Sequence, residues 1–177
     1  MVGKEPIVNT RPQCTTVLHA CLLLLVGLLP AGCGCETGPT EPLTISGESF
    51  VLEVVTTEAA IQQGLGGREQ LGRNDGMLFV FPDPKPRRFW MKNCLIDIDI
   101  MFLDGLGRIT AIHTMPAEPL KGETESQAEY ELRLKRYPSQ FGAQFAIELA
   151  SGRIAELGLE PGNKVDIPID CLKARLN

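Results

Sequence analysis

The chain has 177 residues, 44% of them hydrophobic and 22% charged, with a formal net charge of -5. That length makes one substantial domain, and the acidic balance, with no Lys/Arg run, argues against nucleic acid or anionic lipid as partners, because both reward a basic face. Gly and Pro are frequent (18 and 13) while aromatics reach only 6%, which favours a loop-rich β fold over a helical bundle.

Lys4 and Arg11 precede an almost wholly apolar run from Val17 to Leu29, followed by Pro30-Ala31-Gly32-Cys33. The run is too short to cross a bilayer comfortably, which takes about 20 apolar residues. It fits the apolar core of a signal peptide ending in small residues, so residues 1–32 are expected to be removed. Leu29 to Cys33 resembles a bacterial lipobox, with Pro30 where Leu is usual. The resemblance implies that Cys33 carries lipid and anchors an exported envelope protein to its membrane; plain secretion or a periplasmic location is the alternative. Residues 33–42 read as a polar, Pro/Gly-rich tether, and 43–177 as a single β-rich domain. An oxidising compartment permits a Cys94–Cys171 bridge, although buried free thiols are the leading expectation for this pair.

Leu43–Ile45 and Phe50–Val55 read as strands around Gly47, the second dense in β-branched residues. Thr57 is placed to cap a short helix from Glu58 to Leu65, which Gly64, Gly66 and Gly67 end. Met77–Phe81 is an apolar strand that Pro82, Pro84 and Pro86 are expected to stop. Ile96–Leu103 alternates with period two, Ile96, Ile98 and Ile100 against Asp97, Asp99 and Met101, and predicts a strand half exposed or lining a polar pocket. A turn at Asp104-Gly105-Leu106-Gly107 returns the chain as Arg108–Met115. About 123–137, charged and helix-prone, looks like a surface insertion. Gln144–Ala150 is a strand, Ser151 caps a helix stopped by Gly158, and Lys164–Ile167 is the last strand. The sum is mainly β: an antiparallel sandwich or barrel with two or three short helices.

Three segments carry a resemblance: Gly76-Met77-Leu78-Phe79-Val80-Phe81, then Phe89-Trp90-Met91-Lys92-Asn93, then Leu95-Ile96 with Asp99-Ile100. Together with Gly64-Leu65, Arg68, Gly158, Gly162 and Val165 they resemble the bacterial and archaeal domain of unknown function 192 family over about residues 43–168. The resemblance implies a compact, jelly-roll-like β domain, often behind a signal peptide, and no known activity. Cys94 stands where the family commonly has Thr, and Asp97 where it has Pro. The Glu123–Tyr137 insertion replaces a cysteine pair that many members carry.

Candidate chemistry gathers near Trp90. Lys92 and Asn93 follow three large apolar residues and fit the mouth of an apolar pocket floored by Phe89 and Met91, where a cation and an amide would orient an anionic or polyhydroxylated ligand. Trp90, the only tryptophan, is either a sugar-stacking platform or a core anchor. Asp97 and Asp99 share a strand face, where carboxylates can divide acid and base roles, bind a hard cation, or merely face solvent. Asp99 is the stronger of the two, with Arg68 or Lys92 as a partner that would make it structural. His113, the one histidine after the leader, would need Cys94 as nucleophile; a hairpin role is the plainer reading. The expected ligand-binding set is Arg68, Phe89, Trp90, Lys92, Asn93 and Asp99, with no metal and no cofactor. The leading function is a non-catalytic domain binding a glycan, an envelope protein or another envelope component. The alternative is an envelope hydrolase using Asp99 with Lys92 or His113.

Overall fold

The computed structural model describes residues 38–176. The expected signal peptide, Cys33 and the first part of the tether lie outside them. Six strands form one sheet in the order β1-β2-β3-β6-β4-β5: β1 (Thr40–Ile45), β2 (Glu48–Val55), β3 (Asp75–Phe89), β4 (Ile98–Leu103), β5 (Ile109–Met115) and β6 (Tyr137–Ala150). Four short helices accompany them, α1 (Glu58–Gln63), α2 (Gln127–Arg133), α3 (Arg153–Glu156) and α4 (Ile169–Ala174). The fold is mainly β, as expected, but the sheet is mixed and does not close into a barrel. Every strand pairing is antiparallel except β2 with β3, which the α1 crossover makes parallel.

Both faces of the sheet are covered, and alternation assigns the side chains to two cores. Phe50, Leu52, Leu78, Val80, Met101, Phe145, Ile147 and Leu149 point to one face, where Ile154 of α3 and Leu172 of α4 close over them. Met77, Phe79, Phe81, Ile98, Ile100, Phe102 and Ala146 point to the other, covered by Leu65, Met91, Cys94 and Tyr137. β4 is therefore buried along its whole length. Its apolar–acidic alternation signalled two different interiors, where a strand half exposed or lining a polar pocket was expected.

Local chemistry explains the turns. Ser46 and Gly47 both have positive φ (49° and 83°), the conformation of a two-residue hairpin whose twist matches the strands it joins. The Asp104 carboxylate accepts from the Leu106 and Arg108 amides at 2.8 and 2.9 Å and holds the β4–β5 turn. Thr57 caps α1 through the Ala60 amide, and Ser126 with Glu129 forms a reciprocal capping box on α2.

The elements depart from expectation where tertiary pairing supplies what the local sequence lacks. β1 begins at Thr40, taking up residues expected in the tether. β3 continues through Pro82, Pro84 and Pro86: β2 pairs with it only as far as Phe79, so beyond that point one edge of β3 needs no N–H donors. The register shift between Val80 and Lys85 lets β6 follow it. Gly152, at φ 85°, precedes α3 without a side-chain cap, so Ser151 is not the cap. Residues 164–167 make only one bridge, Lys164 with Arg108, and α4 follows them.

Gly142 lies so close under the Pro84 carbonyl that an added Cβ would collide with backbone. Gly142→Ala is expected to cost about 1–3 kcal/mol, read as a lower urea midpoint with an unchanged slope; an unaltered midpoint would show that the two strands separate freely there.

Candidate active cleft around Glu148

β6 lies between β3 and β4. Its alternation turns Glu148 to the same face as Ala146, with Met77 on β3 and Ile100 on β4 as cross-strand neighbours. The residue is only 5% exposed, and its Oε2 has no hydrogen-bond partner among the described residues. Burial among apolar side chains pushes its carboxyl up to about 8, against a smaller opposing pull from Arg68. At neutral pH this is a protonated acid that can donate as well as accept.

Above it opens a cleft of about 270 Å³. Gly64 and Leu65, at the end of α1, form one wall; Phe89 and Trp90, where β3 ends, form another; Lys92, Cys94, Arg88 and Arg136 complete it. Phe89 is fixed by edge-to-face contacts with Phe79 and Phe102, ring centroids 4.9 and 5.4 Å away. Trp90 is half-buried, and the Arg136 guanidinium lies 3.9 Å from its ring centroid. Arg136 also donates to the Glu131 and Leu134 carbonyls, which hold it in place; the Glu131 carboxylate feels its charge but bonds to Lys92, and Arg136 makes no ion pair among the described residues. Arg88 is exposed and makes no ion pair among the described residues. The mouth is thus positive on a chain whose net charge is negative.

The insertion braces this mouth. Tyr130 of α2 is buried, and its hydroxyl accepts the Asn93 amide at 2.8 Å while donating to Asn93 Oδ1. Glu131 accepts from Lys92 Nζ at 2.5 Å, an ion pair that holds the Glu131 carboxyl below its ordinary value.

Of the residues expected to bind ligand, Phe89, Trp90 and Lys92 line the cleft. Asn93 takes a positive φ of 57° and serves the turn beside it, accepting the Gly67 amide on its carbonyl. Arg68 forks onto Glu53 at 2.5 and 2.7 Å in a separate depression that also includes Asp75. Met91, expected in the floor, is fully buried core.

The weak catalytic candidates stand apart. Asp99 points to the face opposite Glu148, where it accepts from the Thr114 hydroxyl at 2.9 Å and the Ile154 amide at 3.1 Å and so ties α3 to the sheet. Asp97 accepts the Ala117 amide. His113 lies in register with Ile100, which separates it from Glu148; two strand spacings put about 10 Å between them. Its Nε2 meets the Pro138 carbonyl at 2.8 Å. Cys94 is a free, buried thiol, pushed up to about 12 by burial and then by the Glu148 charge. It keeps its proton and is no nucleophile for His113 to activate. The Cys94–Cys171 bridge does not form: Cys94 is free, and Cys171, expected to be a free thiol, is disulfide-bonded.

Glu148, Arg88 and Arg136 were not expected from the sequence. Glu148 did leave a signal: it is the one charged residue in the run Phe145–Ala150, at a position where a buried strand calls for an apolar side chain.

A folded-state carboxyl held above its unfolded value of 4.5 keeps a proton that the unfolded chain releases. Its contribution to stability is complete below about pH 4.5 and is lost as pH rises through about 8. The urea midpoint is expected to fall between pH 5 and 8, with a slope of up to about 1.4 kcal/mol per pH unit from this group. Glu148→Gln should remove that slope, since every other titration is common to both proteins; parallel profiles would mean the carboxyl is already ionised. Asp99→Ala, which strands the Ile154 amide, should cost about 2–3 kcal/mol in the same assay.

A family model described as "Uncharacterized ACR", that of domain of unknown function 192, matches residues 41–167. Two crystal structures share the fold. One, from Novosphingobium aromaticivorans DSM 12444, is of a protein of unknown function; it is 30% identical, with TM-score 0.59, covering 72% of this chain and 85% of that one. The other, from Sinorhizobium meliloti 1021, is described as a candidate transcription regulator; it is 28% identical, with TM-score 0.56, covering 72% of this chain and 90% of that one. No curated protein matches. With most of its length matched by one family model, and those two folds beside it, the chain belongs to the uncharacterised domain of unknown function 192 family.

Proposed function

We propose that this is an envelope-anchored, non-catalytic binding domain, held at the membrane by lipid on Cys33, and that the Glu148 cleft holds a glycan or another envelope component. The observation that carries the reading is the cleft's division of chemistry: guanidinium groups without an ion pair among the described residues and an indole at the mouth, apolar walls, and a buried carboxyl with an unpaired oxygen at the base. Ligand sites are built this way, with a few polar groups fixed in an apolar hollow. A second depression of about 410 Å³ shares Arg88, Phe89, Ile61 and Gln62 with the cleft, which gives room for more than one sugar unit.

The hydrolase alternative draws no support from the same geometry. Its proposed acid, Asp99, is committed to Thr114 and Ile154 on the other face, Lys92 to Glu131, and His113 to a backbone carbonyl. No pair of these converges on one hollow, as acid–base chemistry requires.

A thermal-shift and calorimetric screen of anionic and neutral envelope sugars and peptidoglycan fragments tests the reading. At least one anionic fragment should raise Tm, and Arg136→Ala should weaken its binding about tenfold, some 1.4 kcal/mol. A screen in which nothing moves Tm, with Arg136→Ala cells indistinguishable from wild type, would end the proposal.

A further inference from the structure

We propose that the ligand is an N-acylated acidic sugar, its amide received by the Glu148 carboxyl at the base of the cleft and its carboxylate by Arg88 and Arg136 at the mouth. This rests on the reading of the cleft as a glycan site and narrows it to one class. A group that reaches Glu148 must satisfy a buried oxygen that has no partner, between Met77 and Ile100. With its proton retained, the carboxyl offers O–H beside C=O. A secondary amide offers C=O and N–H, so the two can form a pair of parallel hydrogen bonds. A lone hydroxyl satisfies only part of that edge. A carboxylate at the base would accept from the Glu148 O–H but offers no donor to its C=O, and an ammonium ion would have to pass two guanidinium groups to reach it.

The surroundings agree with an acyl group. Leu65, 1% exposed, and half-buried Phe89 line the cleft with Glu148, an apolar setting for the acyl methyl. At the mouth, Arg136 is held by two backbone carbonyls and the Trp90 ring, so little side-chain freedom remains to be lost on binding. Arg88 stands beside it without an ion pair among the described residues. Together they present the planar donors that recognise a carboxylate.

Trp90 is the only tryptophan and lies in the cleft wall, so intrinsic fluorescence of the full chain in mild detergent reads occupancy directly. The probes are N-acetylmuramic acid, which has both groups; N-acetylglucosamine, which lacks the carboxylate; and 3-O-(1-carboxyethyl)glucose, which keeps the carboxylate and has a hydroxyl in place of the acyl amide. The first should quench or shift the emission saturably, and each of the others should bind at least tenfold more weakly. Glu148→Gln, whose side-chain amide keeps a donor and an acceptor, should bind N-acetylmuramic acid within about threefold of the unaltered protein. Glu148→Leu should narrow the preference for N-acetylmuramic acid over 3-O-(1-carboxyethyl)glucose to about threefold or less. N-acetylglucosamine binding as tightly as the acid would overturn the proposal, and so would Glu148→Leu retaining the preference for the acylated sugar. The ligand comparisons on the unaltered protein decide the matter even if Glu148→Leu does not fold. Binding of other envelope glycans with none of these preferences defeats this proposal alone, whereas silence from every sugar defeats the glycan reading as well.

Discussion

A sheet with apolar cores on both faces leaves its central strands no solvent side, and that constraint governs the rest of the structure. β6 lies between β3 and β4 from Phe145 to Leu149, and every side chain from Ala143 to Leu149 is buried whichever way it points. A glutamate placed there cannot reach water by choosing a face. It keeps its proton, because an ionised carboxylate among Met77, Ile100 and Phe79 would cost far more than a neutral acid. Gly64 leaves room over the carboxyl: a Cβ at that position would stand 3.8 Å from Glu148 Oε2.

The cleft exists because three chain segments meet over that face without sealing it. α1 ends at Gly64, β3 ends at Phe89 and Trp90, and the turn at Lys92 and Asn93 carries the chain toward β4. The turn alone would be loose, since it relies on a non-glycine residue with positive φ. α2 supplies the brace: Tyr130 bonds the backbone N–H and the side-chain Oδ1 of Asn93, Glu131 fixes Lys92, and the chain just beyond α2 delivers Arg136 onto Trp90. The charged insertion is thus part of the cleft's wall, which explains why its helix buries a tyrosine despite a polar composition.

Much of the fold was legible because period, turn chemistry and capping are local. The Thr57 cap, the Asp104–Gly107 turn and the strands around them stand within a residue or two of where their sequence signals put them. What was not legible depends on pairing across the chain. Pro82, Pro84 and Pro86 reliably stop a central strand, but β3 passes through them because β2 has already left its edge. The Ile96–Leu103 alternation was read correctly as period two and still misassigned, because period cannot tell solvent from a second core. In the site, Phe89, Trp90 and Lys92 were found through their juxtaposition in sequence. Glu148 and Arg136 come from elements some fifty residues further on, and only the sheet order brings them to the same hollow.

Asp99 and Glu148 make the physical contrast from which the site is inferred. Both are carboxyls on adjacent buried strands, and both are nearly inaccessible. Asp99 receives a hydroxyl and an amide and thereby joins α3 to the sheet; its burial is offset by hydrogen bonds within the fold, and nothing further is required of it. Glu148 has an oxygen with no such partner, and an unmet buried group costs about 1–3 kcal/mol. An apolar residue of similar size would fill the same position without that cost. The fold therefore carries, under its positive cleft, a polar group that serves no element of secondary structure and that lines the cleft where a partner can approach it.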